Sequence, residues 1–186
     1  MKNMTAPSSQ LTAVVSASSA EASSADTGPA AARSSEAIIG VRLEGDALSR
    51  GLVEVRHTGT AKGHGVFAIA PLPTNTWVGD YVGEVLNQAQ YLARYPQEDG
   101  EYVLGANEDY NIDAIDPQRS SFVRYLNHSA AEPAGHANVF FEVAKVRRQR
   151  EKHIKFYTGR DVEAGEELCF DYGKTYWSGR SYTPLP

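Results

Sequence analysis

Arg124-Tyr125-Leu126-Asn127-His128-Ser129, followed further along by Glu166-Glu167-Leu168-Cys169-Phe170-Asp171-Tyr172-Gly173, are the stretches on which the reading of this chain turns. The first sets a polar Asn-His pair directly behind bulky Tyr125 and Leu126. The second runs from two acids into an apolar core and ends with two aromatics, Phe170 and Tyr172, either side of an Asp. Two more stretches precede them: Lys62-Gly63-His64-Gly65-Val66-Phe67-Ala68 and Tyr81-Val82-Gly83-Glu84-Val85. Glycine has no Cβ, so the backbone of the first of these can approach a ligand closely. A tight hairpin turn would use the same glycines. It is not a dinucleotide fingerprint, because the position of the third glycine falls on Ala68 and no long helix follows.

The chain has 186 residues, enough for one domain with a substantial core, and 41% hydrophobic residues, ordinary for a soluble protein. It shows no apolar run near the ~20 residues of a membrane helix. A net charge of −5 excludes polyanion binding by bulk electrostatics and is compatible with a basic peptide partner. The basic stretch at residues 145–152 has no interleaved aromatics and reads as a solvated hairpin tip, so direct nucleic-acid binding is not expected. Cys169 is the one cysteine. That excludes an internal disulfide and a cysteine-rich zinc site, and no metal is expected.

Residues 1–36 are dominated by Ala, Ser and Thr and read as a disordered tail, because they offer too little apolar surface to offset their ordering entropy. Leu11 to Val15 is too short and mixed for a secretory core, and Glu21 and Asp26 are unlike a transit peptide. Residues 37–51 form a flank, with a short strand expected over 38–43. Strands are expected over 52–56, 66–70, 77–86, 102–104 and 110–114. A helix is expected over 87–94 with Asn87 as its cap, and another over 120–126. Residues 139–144 and 153–158 read as a hairpin, and 166–172 closes the domain. The fold class is mainly β, with small sheets and short helices.

The four stretches, in this order, closely resemble the signature motifs of the SET-domain protein-lysine methyltransferases. The resemblance covers residues 52–173 and implies the SET-domain fold, with a C-terminal pseudoknot. It also implies S-adenosyl-L-methionine as cofactor and a protein substrate with a target lysine, for which a histone tail is the family default. The chain departs from the family twice. Residues 130–137 intervene before Asn138, which is matched to the family's Asn. The closing segment 174–186 lacks the zinc-binding cysteines found in many members.

By resemblance, Lys62, Gly63, His64 and Gly65 cup the methionine end of the cofactor, and Asn127 and His128 hold its methionine and adenine parts. An Asn side chain both donates and accepts, which suits an amino-acid zwitterion. Tyr102 would stack near the adenine or the channel mouth. Tyr172 carries the strongest expectation, a catalytic hydroxyl aimed at the methyl-transfer centre. Tyr81 would line the lysine channel, and Phe170 occupies the position that sets how many methyls are added. A free lysine has a pKa of about 10.4, so the site must strip its proton, which an aromatic channel does by desolvation. Tyr176, Trp177 and Tyr182 are expected to fold back over the site in place of a zinc cluster. The alternative reading is a non-catalytic SET module that binds peptide or chromatin. The compartment is not fixed beyond soluble, nuclear or cytoplasmic.

Overall fold

Hairpin pairing of the Gly-x-Gly stretch sets the first sheet. In this computed structural model, which describes residues 13–14, 40–106, 110–130, 135–144 and 153–177, β2 (Val53–His57) and β3 (His64–Ala68) pair antiparallel from Val53↔Ala68 to His57↔His64. On the other edge of β3 lies β11 (Glu167–Phe170), again antiparallel. β11 in turn pairs in parallel with the two residues of β8 (Asn127–His128), Cys169 opposite Asn127 and Phe170 opposite His128. The two decisive sequence stretches are therefore neighbours in one four-stranded sheet. The chain beyond β11 packs back against His128, through the ring of Trp177.

A second sheet orders β4 (Trp77–Tyr81), β10 (His153–Thr158) and β9 (Val139–Ala144), with β10 central. The third contains β5 (Glu84–Leu86), β7 (Asn111–Asp113) and β6 (Val103–Gly105). Its outer position beside β6 is taken by β1 (Ala13–Val14), from the Ala/Ser/Thr-rich tail. The large side chains Phe122, Phe156, Phe170, Leu72, Leu104, Ile112, Leu126, Ile154 and Leu168 are fully buried between these sheets. Each such side chain contributes about 1.5–3 kcal/mol of transfer free energy.

Several elements differ from the sequence expectation, each for a local reason. The single strand expected over 77–86 is two strands in two sheets. The break falls at Val82-Gly83, where Gly83 packs so tightly on the Asp113 carbonyl that any Cβ would overlap it. The helix expected over 120–126 is a 3-10 turn, Phe122–Tyr125. Ser121 anchors its start by donating to the Asp80 carbonyl, and its aromatic and β-branched residues are weak helix formers. Of the strand expected over 38–43, only a single bridge from Val41 to Ser121 is present among the described residues. The basic tip at 145–152 and Tyr182 lie outside the described residues.

The helix α1 (Gln88–Arg94) forms as expected. Asn87 caps it reciprocally with Gln90, and Pro96 prevents its continuation. Its last residue, Arg94, bonds Glu84 and the buried Asp113, tying the helix to the third sheet. The short helix α2 (Lys174–Trp177) follows Gly173 directly.

Candidate active site

Asn127 is the point where the entry loop, β8 and β11 meet. Its Nδ2 donates to the His64 carbonyl at 3.1 Å and to Glu167 Oε1 at 2.7 Å. Gly65 makes this possible: a Cβ there would overlap the Glu167 carboxylate and stand 3.0 Å from Asn127 Nδ2. Both amide hydrogens of Asn127 are thus spent inside the protein. Contrary to the expectation of a side chain that donates and accepts outward, what remains to face a ligand is its acceptor oxygen.

His64 contributes through its backbone. Its ring turns toward His57 and Tyr125, with centroids 5.5 and 5.8 Å away. Burial, and then His57, hold its pKa below the ordinary value. Lys62 is close enough to influence the electrostatics of His128 and Cys169.

His128 lies beside the reaction centre the sequence points to. Its Nδ1 accepts the Tyr172 backbone N–H at 3.2 Å, and its ring is 5.2 Å from Tyr172 and 4.9 Å from Trp177. Burial lowers its pKa, partly offset by Asp171, so the imidazole is neutral.

Tyr172 is buried, and its hydroxyl donates to the Leu126 carbonyl at 2.7 Å. Tyr81 is buried too, and its hydroxyl donates to the Tyr102 carbonyl at 2.9 Å. Each phenol uses its O–H to donate to a backbone carbonyl, so each oxygen is left to accept. Burial, reinforced by the neighbouring phenols of Tyr176, Tyr81 and Tyr102, keeps the Tyr172 pKa well above the ordinary phenol value. Burial does the same for Tyr81, opposed by Arg124. Both therefore stay neutral at physiological pH.

Aromatic walls enclose this pair. The Phe170 ring lies 4.6 Å from Tyr172 and 5.0 Å from Phe156. From α2, Tyr176 meets Tyr172 edge-on at 4.9 Å and Trp177 stacks parallel to it at 6.3 Å. Tyr102 is held at φ 57, a strained conformation for a bulky residue. The Arg124 guanidinium lies 3.9 Å over its ring. The structure thus puts Tyr102 at the Tyr81 end of the cluster.

Sequence reasoning passed over Glu167 and Arg124. Glu167 leads a half-buried strand, where an acid reads as solvent-facing. Its only hint was its place opposite the Asn127 motif. Asn138, reached after the intervening residues, is buried, accepts the Cys169 N–H at 2.9 Å and donates to the Glu167 carbonyl at 2.8 Å. It pins β11 from the side opposite β3. No group of three or more metal-ligating side chains is present among the described residues.

The SET domain family model matches residues 63–173. Human histone-lysine N-methyltransferase EHMT1 is 32% identical over 117 residues, which are 62% of this chain and 9% of that protein. The chicken histone-lysine N-methyltransferase SUV39H2 is 31% identical over 119 residues, 62% of this chain and 28% of the relative. Among solved structures, the Chaetomium thermophilum polycomb repressive complex 2 superposes with a TM-score of 0.54 at 28% identity, covering 69% of this chain and 16% of that one. A related structure of that complex, in an autoinhibited conformation and bound to S-adenosylmethionine, also scores 0.54. The chain belongs to the SET-domain family. The match spans 9% of the length of the first relative and 28% of the second.

Proposed function

We propose that this chain is a protein-lysine N-methyltransferase that uses S-adenosyl-L-methionine. The observation that carries the reading is the pair of buried neutral phenols, Tyr172 and Tyr81, walled by Phe170, Tyr176 and Trp177 and adjoining Asn127 and His128.

The residues fit the cofactor. The Asn127 oxygen and the backbone of residues 62–65 would hold its amino-acid end, and His128 and Trp177 offer a half-buried aromatic surface beside it. When bound, the cofactor supplies an electrophilic methyl on a cationic sulfur. The chain's own residues do the rest. The aromatic walls strip water from an entering lysine ammonium and favour its neutral, nucleophilic form. The Tyr172 and Tyr81 oxygens, their O–H groups already donating to backbone carbonyls, accept hydrogen bonds from the amine and fix its approach. Neither phenol ionises, so no counter-charge holds the ammonium in its protonated form.

The relatives are named as histone-lysine methyltransferases, which supports a histone lysine as substrate and, with it, a nuclear place of action. No helix among the described residues is long and apolar enough to cross a membrane. The rival, a non-catalytic peptide-binding module, has no need of two buried neutral phenols whose O–H groups are both fixed on backbone carbonyls.

A radiolabelled methyl-transfer assay over histones and whole lysate, with mass spectrometry of the product, tests the proposal. Tyr172→Phe should lower turnover by about 10²–10³, the scale of losing one preorganised polar group, with cofactor affinity retained. A wild-type chain that binds cofactor and peptide but labels nothing would leave the binding-module reading.

A further inference from the structure

Arg124 is a buried cation without an anion. It sits 5% exposed on the 3-10 turn Phe122–Tyr125. Its Nη2 donates to the Ile115 carbonyl at 3.2 Å and its Nη1 to the Tyr125 hydroxyl at 3.3 Å, while Nε meets no acceptor among the described residues. No carboxylate among those residues pairs with it. The buried acids of the sheets are occupied elsewhere: Asp113 by Arg94 and the Tyr95 hydroxyl, Asp80 by Lys155 and the Trp77 indole. The surroundings of Arg124 are aromatic instead. Its guanidinium lies 3.9 Å over the Tyr102 ring and 5.1 Å from the centroid of Tyr125. A ring face attracts a cation but cancels none of its net charge. A neutral side chain of similar size would be easier to bury, so packing alone does not account for an arginine here.

The charge lies where the phenol cluster begins. The Tyr102 carbonyl accepts the Tyr81 hydroxyl, and Tyr81 in turn acts on Tyr172. Arg124 favours the ionised forms of both Tyr81 and Tyr102, against the burial that opposes them. A field that favours a phenolate disfavours an ammonium. We propose that Arg124 is the fixed cation that keeps an entering lysine neutral: its uncompensated charge, acting at the Tyr102–Tyr81 end of the channel, turns away the ammonium and admits the amine. This rests on the proposed methyltransferase reading and adds a charge to the desolvation invoked there. The ammonium gives its proton to solvent water on entry, so the step needs no protein base. Arginine suits the role, since its guanidinium is weakly hydrated and stays charged when buried. The other groups that face this region do not cancel it. Asp113 acts on Tyr81 and Glu101 on Tyr102, in each case less strongly than Arg124. His64, whose ring lies 5.8 Å from that of Tyr125, is held below its ordinary 6.5 by burial and is neutral above it. The remaining groups are phenols, Tyr125, Tyr172 and Tyr176.

The test compares two peptides on the full chain, with S-adenosylhomocysteine present so that no methyl moves. One is a lysine peptide selected by binding from a panel of histone-tail peptides. The other carries norleucine, the uncharged isostere, in place of that lysine. At pH 7 the wild type should bind the norleucine peptide more tightly. In Arg124→Gln that preference should fall about tenfold, and Arg124→Lys, which keeps the charge, should hold it. Wild-type kcat, which reports the enzyme–substrate complex, should rise with pH to an inflection below the free-lysine value of about 10.4. Arg124→Gln should move that inflection up by about one unit, with S-adenosylmethionine affinity unchanged. An unmoved peptide preference in Arg124→Gln overturns the proposal, and so does an Arg124→Lys variant that behaves like it. Lost cofactor affinity with the preference intact would assign Arg124 to the cofactor and overturn the proposal too. Turnover lowered equally at every pH, with the inflection in place, would leave Arg124 only packing Tyr102. If Arg124→Gln does not fold, Arg124→Met replaces it. A wild type that binds both peptides equally at pH 7, or whose kcat inflects at the free-lysine value, overturns the proposal without any variant. A preference that is present, and lost in Arg124→Gln, in proteins that transfer no methyl would keep the role of Arg124 and sink the methyltransferase reading instead.

Discussion

Asn127 shows how one side chain holds a site together while serving it. Its two N–H groups bind His64 and Glu167, which leaves its oxygen as the acceptor not used by either bond. Asn127→Ala should weaken S-adenosylmethionine binding by about 1–3 kcal/mol, through the lost acceptor and the loosened loop, as calorimetry would show. Unchanged affinity would mean that the cofactor sits elsewhere. Phe170 poses a different question, because it is fully buried against Phe156 and Tyr172. On the proposed reading, with no hydroxyl it would hold a channel water less firmly than a tyrosine, leaving a methylated amine room to turn for another transfer. Di- or trimethyl-lysine is therefore the expected product, and Phe170→Tyr should shift it toward monomethyl. Mass spectrometry at matched turnover decides; a wild type that stops at one methyl contradicts the argument. If Phe170 served packing alone, the added hydroxyl would instead lower stability without changing product ratio.

Among the elements, α2 is the one whose aromatic side chains pack onto the proposed site. Tyr176 is buried against Tyr172, and Trp177 lies across His128. Such aromatic contacts add about 0.5–1.5 kcal/mol each beyond area burial. Truncation after Gly173 should abolish methyl transfer, and a zinc chelator should leave the full chain active. Activity in the truncated protein, or silencing by chelator, would refute this role. How legible such elements were depends on how local their causes are. The α1 cap was readable because Asn87 and Gln90 are adjacent in sequence as well as in space. The family was readable because each of the four stretches carries its pattern in a few consecutive residues. The split between β4 and β5 was not, since its cause is the Asp113 carbonyl, remote in sequence from Gly83. Glu167 escaped for the same reason: only the approach of Asn127 and Gly65 makes it more than a strand-end acid.

At the scale of the molecule, burial of titratable groups sets a pH window for the fold. His64 and His128 have native pKa values below their ordinary 6.5, chiefly through burial. As pH falls through that value the unfolded chain takes up protons that the native chain refuses, so stability declines from 6.5 downward. Glu166 and Asp161 act lower. Arg160 holds the first below its ordinary 4.5 and Thr74 the second below 3.8, so their share is lost only in stronger acid. On the alkaline side Cys169, ordinarily at 9.0, is pushed up to about 12 by burial. Its unfolded thiol ionises first, and stability falls as pH rises from 9.0 toward 12. Buried Tyr172 adds the same sign above 10.0. Urea unfolding across this range should give a plateau between about pH 7 and 9 with a decline on each side. Replacing His64, whose ring lies 5.5 Å from that of His57 and 5.8 Å from that of Tyr125, in His64→Asn should flatten the decline between pH 7 and 5 while leaving the alkaline limb in place. Cys169→Ala should flatten the limb above pH 9 and leave the acid one. A histidine variant whose acid limb is as steep as wild type would show that His64 titrates alike in the folded and unfolded chains, and that the acid limb belongs to other groups.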